Sequence, residues 1–202
     1  MIKSVAAVIL AAGMSRRMGR PKMLLPWGET TVLGQVVKTF SEAGVSEVVA
    51  VTGGAREVVE AEIARLAVHF PVRGVFNSQY EAGEMLSSLQ AGLAALGPEV
   101  ESALVGLGDQ PQGGVGTARN LISAYEKSRR GIIIPSFKMR RGHPYLIDRC
   151  HWAEILQMRH PQTLRDFFNT HAGDVLYVDA DESILLDLDT PDDYEKYLKS
   201  PH

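Results

Sequence analysis

Four cations crowd one short loop of this chain. The stretch LAAGMSRRMGRPKMLLPWG, residues 10–28, sets Arg16, Arg17, Arg20 and Lys22 just after the small residues Ala11, Ala12 and Gly13. Small residues let a ligand approach the backbone closely, and the exposed amides then point at it. Guanidinium forks match phosphate oxygens, and a lysine adds a mobile point charge. Such a loop could neutralise a polyphosphate; the plainer alternative is a solvated basic loop. Neither standard phosphate fingerprint applies. Gly13 and Gly19 have no glycine between them, and Lys22 lies three beyond Gly19 and is followed by Met23.

Three acids have the complementary chemistry. Asp109 sits in GLGDQP, where an apolar run meets a Gly-rich turn, and Asp187 and Asp189 sit in LLDLDTPDD. Carboxylates suit Mg²⁺, a hard ion that takes oxygen ligands and bridges phosphates. Against this, Asp109 could cap the next helix or make a local turn bond. Read as a strand, the alternation with leucines puts Asp187 and Asp189 on one face. An acidic pair on an apolar strand is costly without a cation or a helix N-terminus. The alternative is that Asp189 caps the final helix and Asp187 is solvated; spacing does not say which of the two would coordinate. Asp192 and Asp193 fall in the first helical turn and read as structural. Arg141 and His143, around a Gly-His-Pro turn, are acceptor-side candidates, with simple turn structure as the alternative. The other histidines show no metal-ligand spacing. Cys150, the one cysteine, adjoins His151 but reads as a small buried hydrophobe rather than a nucleophile.

Something must bring these distant residues together. Strand signals at 4–10, 47–54, 72–77 and 102–111 alternate with helical periodicity at 30–44, 55–67, 84–97 and 115–129, and 131–137 is a further strand. Gly44 suits a helix C-cap. Four strand–helix units imply a parallel sheet covered on both faces. Right-handed crossovers then gather loops 11–22, 52–54, 77–83 and 108–114 at the carboxyl ends of the strands. In the last third, 143–147 and 174–179 read as strands with two helical stretches between. Residues 184–198 read as a strand, an acidic turn and a helix with Thr190 as cap and Pro191 in its first turn. The expected organisation is one domain, 1–202, with a nucleotide half at 1–137 and an acceptor-side, metal-completing segment at 138–202.

Composition narrows the class. The 202 residues carry 21 Lys+Arg against 24 Asp+Glu, a net charge of -3, which weighs against a general nucleic-acid binder. No apolar run approaches the ~20 residues a bilayer span needs. One cysteine precludes an intrachain disulfide and fits a reducing compartment, so the expected location is the cytoplasm.

These motifs, in order, resemble those of the MobA-like nucleotidyltransferases, closest to the molybdenum cofactor cytidylyltransferase branch. LAAGMSRRMGRPKMLLPWG resembles the family's opening LAAGxSxRMGxxKxLLPxxG. GEMLSSLQAGL (83–93), GLGDQP, RRGHP (140–144) and DLDTPDDY (187–194) resemble its GxxxSLxxG, GDQP, GHP and DIDTPEDY segments. The resemblance implies a three-layer, Rossmann-like nucleotide-diphospho-sugar transferase fold. It implies a nucleoside triphosphate held by Leu10, Ala11, Ala12, Gly13 and Lys22, with Asn77, Gly83, Ser87 and Ser88 near the base and ribose. Lys22, Arg16, Arg17 and Asp109 would be catalytic, with Asp109 and Asp187 or Asp189 on Mg²⁺ or Mn²⁺. Ala12 favours CTP, since LAAG is associated with CTP and LAGG with GTP. The implied acceptor is molybdopterin and the implied partner a molybdenum hydroxylase or its chaperone, with the chain a monomer or weak homodimer. A sugar-1-phosphate acceptor with GTP or UTP, or a non-catalytic cofactor-binding role, are the alternatives. The sequence after GDQP, QGGVG, departs from the family's bulkier apolar residue and puts the acceptor side in doubt.

Overall fold

The computed structural model describes residues 4–15, 18–81, 84–128 and 130–198. In chain order the elements are β1 (Val5–Leu10), β2 (Pro26–Trp27), β3 (Thr30–Thr31), α1 (Val32–Ala43), β4 (Val48–Thr52), α2 (Arg56–Leu66), β5 (Val72–Phe76) and α3 (Glu84–Ala94). There follow β6 (Ser102–Leu107), α4 (Val115–Lys127), β7 (Ile132–Phe137), β8 (Arg140–Arg141), β9 (Tyr145–Asp148), α5 (Trp152–Gln157), α6 (Leu164–Thr170), β10 (Val175–Asp179) and α7 (Pro191–Leu198).

The main sheet runs β10-β7-β9-β6-β1-β4-β5, with β8 paired to β7. β6, β1, β4 and β5 are mutually parallel, as are β7 and β10; β9 lies antiparallel between β6 and β7. This is a mixed α/β, Rossmann-like sheet, mostly parallel.

The central strands are apolar on both sides because both faces are covered. Along β1, Val5, Ala7 and Ile9 enter one core while Ala6, Val8 and Leu10 enter the other. The first core is closed by α1, α2 and α4 through Leu33, Phe40, Ile63 and Leu121. The second is closed by α3, α5 and α6 through Leu89, Leu93, Trp152 and Phe167. α1 starts where the Thr31 hydroxyl accepts from Gly34 N and ends at Gly44, whose φ of 95° is the left-handed cap expected there.

A third, smaller core was not legible beforehand. Met18, Leu25, Trp27 and Val32 pack with Leu188 and Tyr194, joining the two ends of the chain. The Tyr194 hydroxyl also donates to Pro26 O at 2.6 Å.

The expected strand at 184–189 is corrected. Glu182–Leu185 is a 3-10 turn, and 186–189 is extended chain outside any sheet. The segment is held by the loop after β6 rather than by a strand, with Leu188 N donating to Asp109 O at 3.3 Å and Gln110 Nε2 to Asp187 Oδ1 at 2.8 Å. α7 begins as expected. Thr190 and Asp193 cap each other, through Asp193 N to Thr190 Oγ1 at 3.2 Å and Thr190 N to Asp193 Oδ2 at 2.9 Å.

Candidate functional site

The carboxyl ends of β1, β4 and β6 bring the site together. β1 gives way at Leu10 to the loop of Ala11, Ala12 and Gly13. Gly108 N donates to Leu10 O at 3.0 Å, Ala11 N to Val51 O at 3.0 Å, and Gly54 N to Ala12 O at 3.2 Å. The loop after β1 is thereby fastened to the loops after β6 and β4. Gly53 makes this approach possible, since a Cβ there would lie 2.5 Å from Ala12 O. Ala11 and Ala12 are buried, and Gly13 is exposed.

Lys22 is held at its base. Its amide donates to Ser15 Oγ at 3.1 Å, and the next residue, Met23, is buried in the first core. Ser15, at φ 49°, takes a left-handed conformation that a non-glycine residue seldom adopts. The Lys22 ammonium forms an ion pair with Asp109 Oδ2 and reaches Asp189 Oδ1 at 3.5 Å. The Lys22 and Asp109 side chains are only 12% and 16% exposed, and that of Asp189 is 39% exposed. Eighty-seven residues separate the first pair and 167 the second.

Asp187 takes another partner. Gln110 Nε2 donates to Asp187 Oδ1 at 2.8 Å. Burial raises the Asp187 carboxyl above its ordinary range, against the lowering effect of the Gln110 bond, with the negative charges of Asp109 and Asp189 adding to the rise. Lys22 lowers the Asp187 carboxyl through its charge, so both acids are near this cation, although Asp189 is the one within ion-pair distance of it. Between them Leu188 goes fully into the third core, and its amide donates to Asp109 O at 3.3 Å.

Among the described residues, no three metal-ligating side chains are gathered into a cage. Two oxygen-donor carboxylates converging on one cation nevertheless suit Mg²⁺ or Mn²⁺. Mg²⁺ is typically held by one or two carboxylates with the rest of its shell from phosphates and water.

Asn77, Ser87 and Ser88 are buried together. Asn77 Nδ2 donates to Ser87 Oγ at 2.8 Å and Ser88 Oγ at 3.1 Å, while its Oδ1 accepts from Gln79 N at 2.9 Å. A cleft of about 770 Å³ opens beside them, between Ser78–Glu81, α3 and the loop at Arg159–Thr163. A larger cleft of about 880 Å³ lies against α1, the β2–β3 turn and Pro111–Val115, and none of the expected site residues lines it.

The two acceptor-side candidates separate. His143 lies close enough to Asp109 to feel its charge, yet burial dominates and pushes the imidazole down to about 4. Its buried Nε2 has no protein partner among the described residues. Arg141 is exposed on the β7–β8 hairpin, its guanidinium 5.5 Å over the Tyr177 ring. Arg16, Arg17 and Gly83 lie outside the described residues. Cys150 is exposed rather than buried, with its thiol pushed up to about 11 by partial burial and then by Asp148. His151 Nε2 pairs with Asp174 at 2.7 Å.

Sequence reasoning did not single out Ser15, Gln110, Leu188 or Tyr194. All four lie inside motifs it quoted, but their work is to hold other residues, and spacing carries no sign of that.

Comparison with known proteins gives this geometry a context. The MobA-like NTP transferase domain model matches residues 7–175. The molybdenum cofactor cytidylyltransferase of Escherichia coli (strain K12) is 29% identical over 96% of this chain and 95% of its own. Nicotine blue oxidoreductase of Paenarthrobacter nicotinovorans is 37% identical over 71% of each. The crystal structure of Rv0371c from Mycobacterium tuberculosis H37Rv superposes with a TM-score of 0.83 at 30% identity, covering 99% of this chain and 100% of that one. Its manganese complex superposes at 0.79 with 29% identity, covering 98% and 100%.

Proposed function

The chain belongs to the MobA-like NTP transferase family, and from that premise we propose that it moves a nucleotidyl group, CMP from CTP, onto the phosphate of a molybdopterin-type acceptor and releases pyrophosphate. The observation that carries this reading is the meeting of Lys22, Asp109 and Asp189 beneath the Ala11–Gly13 loop. The cytidylyltransferase relative supports the choice of CTP and acceptor. The reading treats 1–202 as one functional unit, with 138–202 completing the site.

An oxygen of the acceptor phosphate attacks the α-phosphorus; that P–O bond forms as the α–β bridge bond breaks, and pyrophosphate departs with its electrons. The protein's task is positioning and charge neutralisation. Lys22 stabilises charge on the transferring and leaving phosphates. Asp109 and Asp189 would hold Mg²⁺ or Mn²⁺, which when bound spreads that charge as a Lewis acid. The acceptor phosphate is already ionised near neutral pH, so no strong general base is needed. Asn77 fixes Ser87 and Ser88, and Ser87 lines the cleft beside α3; that cleft is the proposed seat of the base or acceptor.

The test is pyrophosphate release with each NTP, with and without molybdopterin, and with a sugar-1-phosphate as alternative acceptor. CTP with molybdopterin should exceed the other pairs, and Lys22→Ala and Asp109→Asn should abolish turnover in a folded protein. Asp189→Asn should cost far more activity than Asp187→Asn. Full activity in Lys22→Ala or Asp109→Asn defeats the reading, and preference for a sugar-1-phosphate moves it to another acceptor class.

A further inference from the structure

We propose that Asp109 and Asp189 form one cation site with two alternative occupants, the Lys22 ammonium and a divalent metal ion, and that a bound triphosphate decides between them by drawing Lys22 onto its own oxygens. The part played by the triphosphate rests on the function proposed above; the competition between the two cations does not.

The argument starts from the double contact. One ammonium pairs with Asp109 and lies 3.5 Å from Asp189, which puts it in the space between the two carboxylates. A metal bound to an oxygen of each would sit about 2.0–2.1 Å from both, in that same space. Two cations cannot share it, and at a few ångströms they repel strongly in a partly buried site. Asp187 offers no easy alternative, because the Gln110 amide already engages it.

Exchange is favoured over loss. With Lys22 and Asp109 only 12% and 16% exposed, the Asp109 carboxylate left without a cation would be poorly solvated. One cation should leave as another arrives. Lys22 has the reach for this movement: its backbone is pinned by Ser15 and by buried Met23, while its four-carbon stem has several rotatable bonds. The consequence is order. Metal alone binds weakly, and triphosphate and metal reinforce one another by positive coupling.

The test is a Mn²⁺ titration without nucleotide, read by the electron paramagnetic resonance signal of free Mn²⁺. Lys22→Met should bind Mn²⁺ roughly tenfold to a hundredfold more tightly than the unmodified protein, the order expected for removing a unit charge a few ångströms away. Lys22→Arg, which keeps the cation, should stay near the unmodified value, and adding Asp109→Asn to Lys22→Met should erase the gain. Lys22→Gln serves as a second neutral variant if Lys22→Met folds poorly by circular dichroism. Mn²⁺ affinity that does not rise in a folded neutral variant, or rises equally in Lys22→Arg, overturns the proposal. Turnover of the unmodified protein is measured separately. A gain in affinity without any turnover would remove the functional reading and leave the exchange standing, while turnover without the gain would do the reverse.

Discussion

Leu188→Ala asks whether the third core holds the carboxylates in register. Leu188 is 0% exposed among Met18, Leu25, Trp27, Val32 and Tyr194, and its neighbours in sequence point to Gln110 on one side and Lys22 on the other. Shortening it to alanine removes three carbons, about 2.4 kcal/mol at ~0.8 kcal/mol per buried methylene-sized group. A cavity cost adds to this, but a small peripheral cluster can partly collapse, so the total should fall near the low end of the ~2–5 kcal/mol range, about 3 kcal/mol. Unfolding entropy of ~2.1 cal/mol/K per residue gives ~0.4 kcal/mol/K for a chain of this length, so the melting temperature should drop by roughly 7 °C. The second readout is the metal titration of turnover, made well below the melting temperature. With the backbone around it loosened, Asp189 should be placed less well, so half-maximal activity should need several-fold more Mg²⁺ while the KM for nucleotide changes little. Leu188→Met, similar in volume, should restore both. A variant that melts as low as expected but keeps an unchanged metal response would show that core and site are independent, and would refute the reasoning.

Two further outcomes are expected. The His143 imidazole, held down to about 4 by burial, is a base with a depressed pKa. As pH falls below about 6.5 the unfolded chain takes the proton first, so its contribution, fully present above that pH, is lost down to about pH 4, a loss of roughly 2–4 kcal/mol. Urea melts at pH 7, 5.5 and 4.5 should show that loss, and His143→Gln should flatten it. Gly53→Ala would set a Cβ 2.5 Å from Ala12 O and 2.8 Å from Tyr80 Cβ, so the Ala11–Gly13 loop must shift; on the proposed function the KM for nucleotide should rise several-fold, with a smaller change in kcat, in steady-state kinetics.

The sheet was legible because its signal is local. Runs such as VAAVIL and VVAVT are too apolar to be anything but doubly covered strands, and the helices between them carry their own period and caps. From that alternation alone the loops after β1, β4 and β6 had to meet at one edge, which brought Lys22 and Asp109 into prospect as neighbours. The last third was less legible. LLDLD alternates as a strand should, yet its hydrogen bonds go to Asp109 and Gln110 in the loop after β6, and it joins no sheet. Alternation records which residues want burial, not what will bury them.

The sequence by itself therefore determined the layered α/β plan, the edge at which chemistry could occur and the residue types available there. Only the tertiary structure decided that Asp189, not Asp187, shares the Lys22 cation, that Gln110 claims Asp187, and that Trp27, Leu188 and Tyr194 tie the two ends of the chain together. The physical reason is range. Periodicity and capping act over a few residues, whereas the Lys22 contacts span 87 and 167 positions and exist only where independent elements have packed.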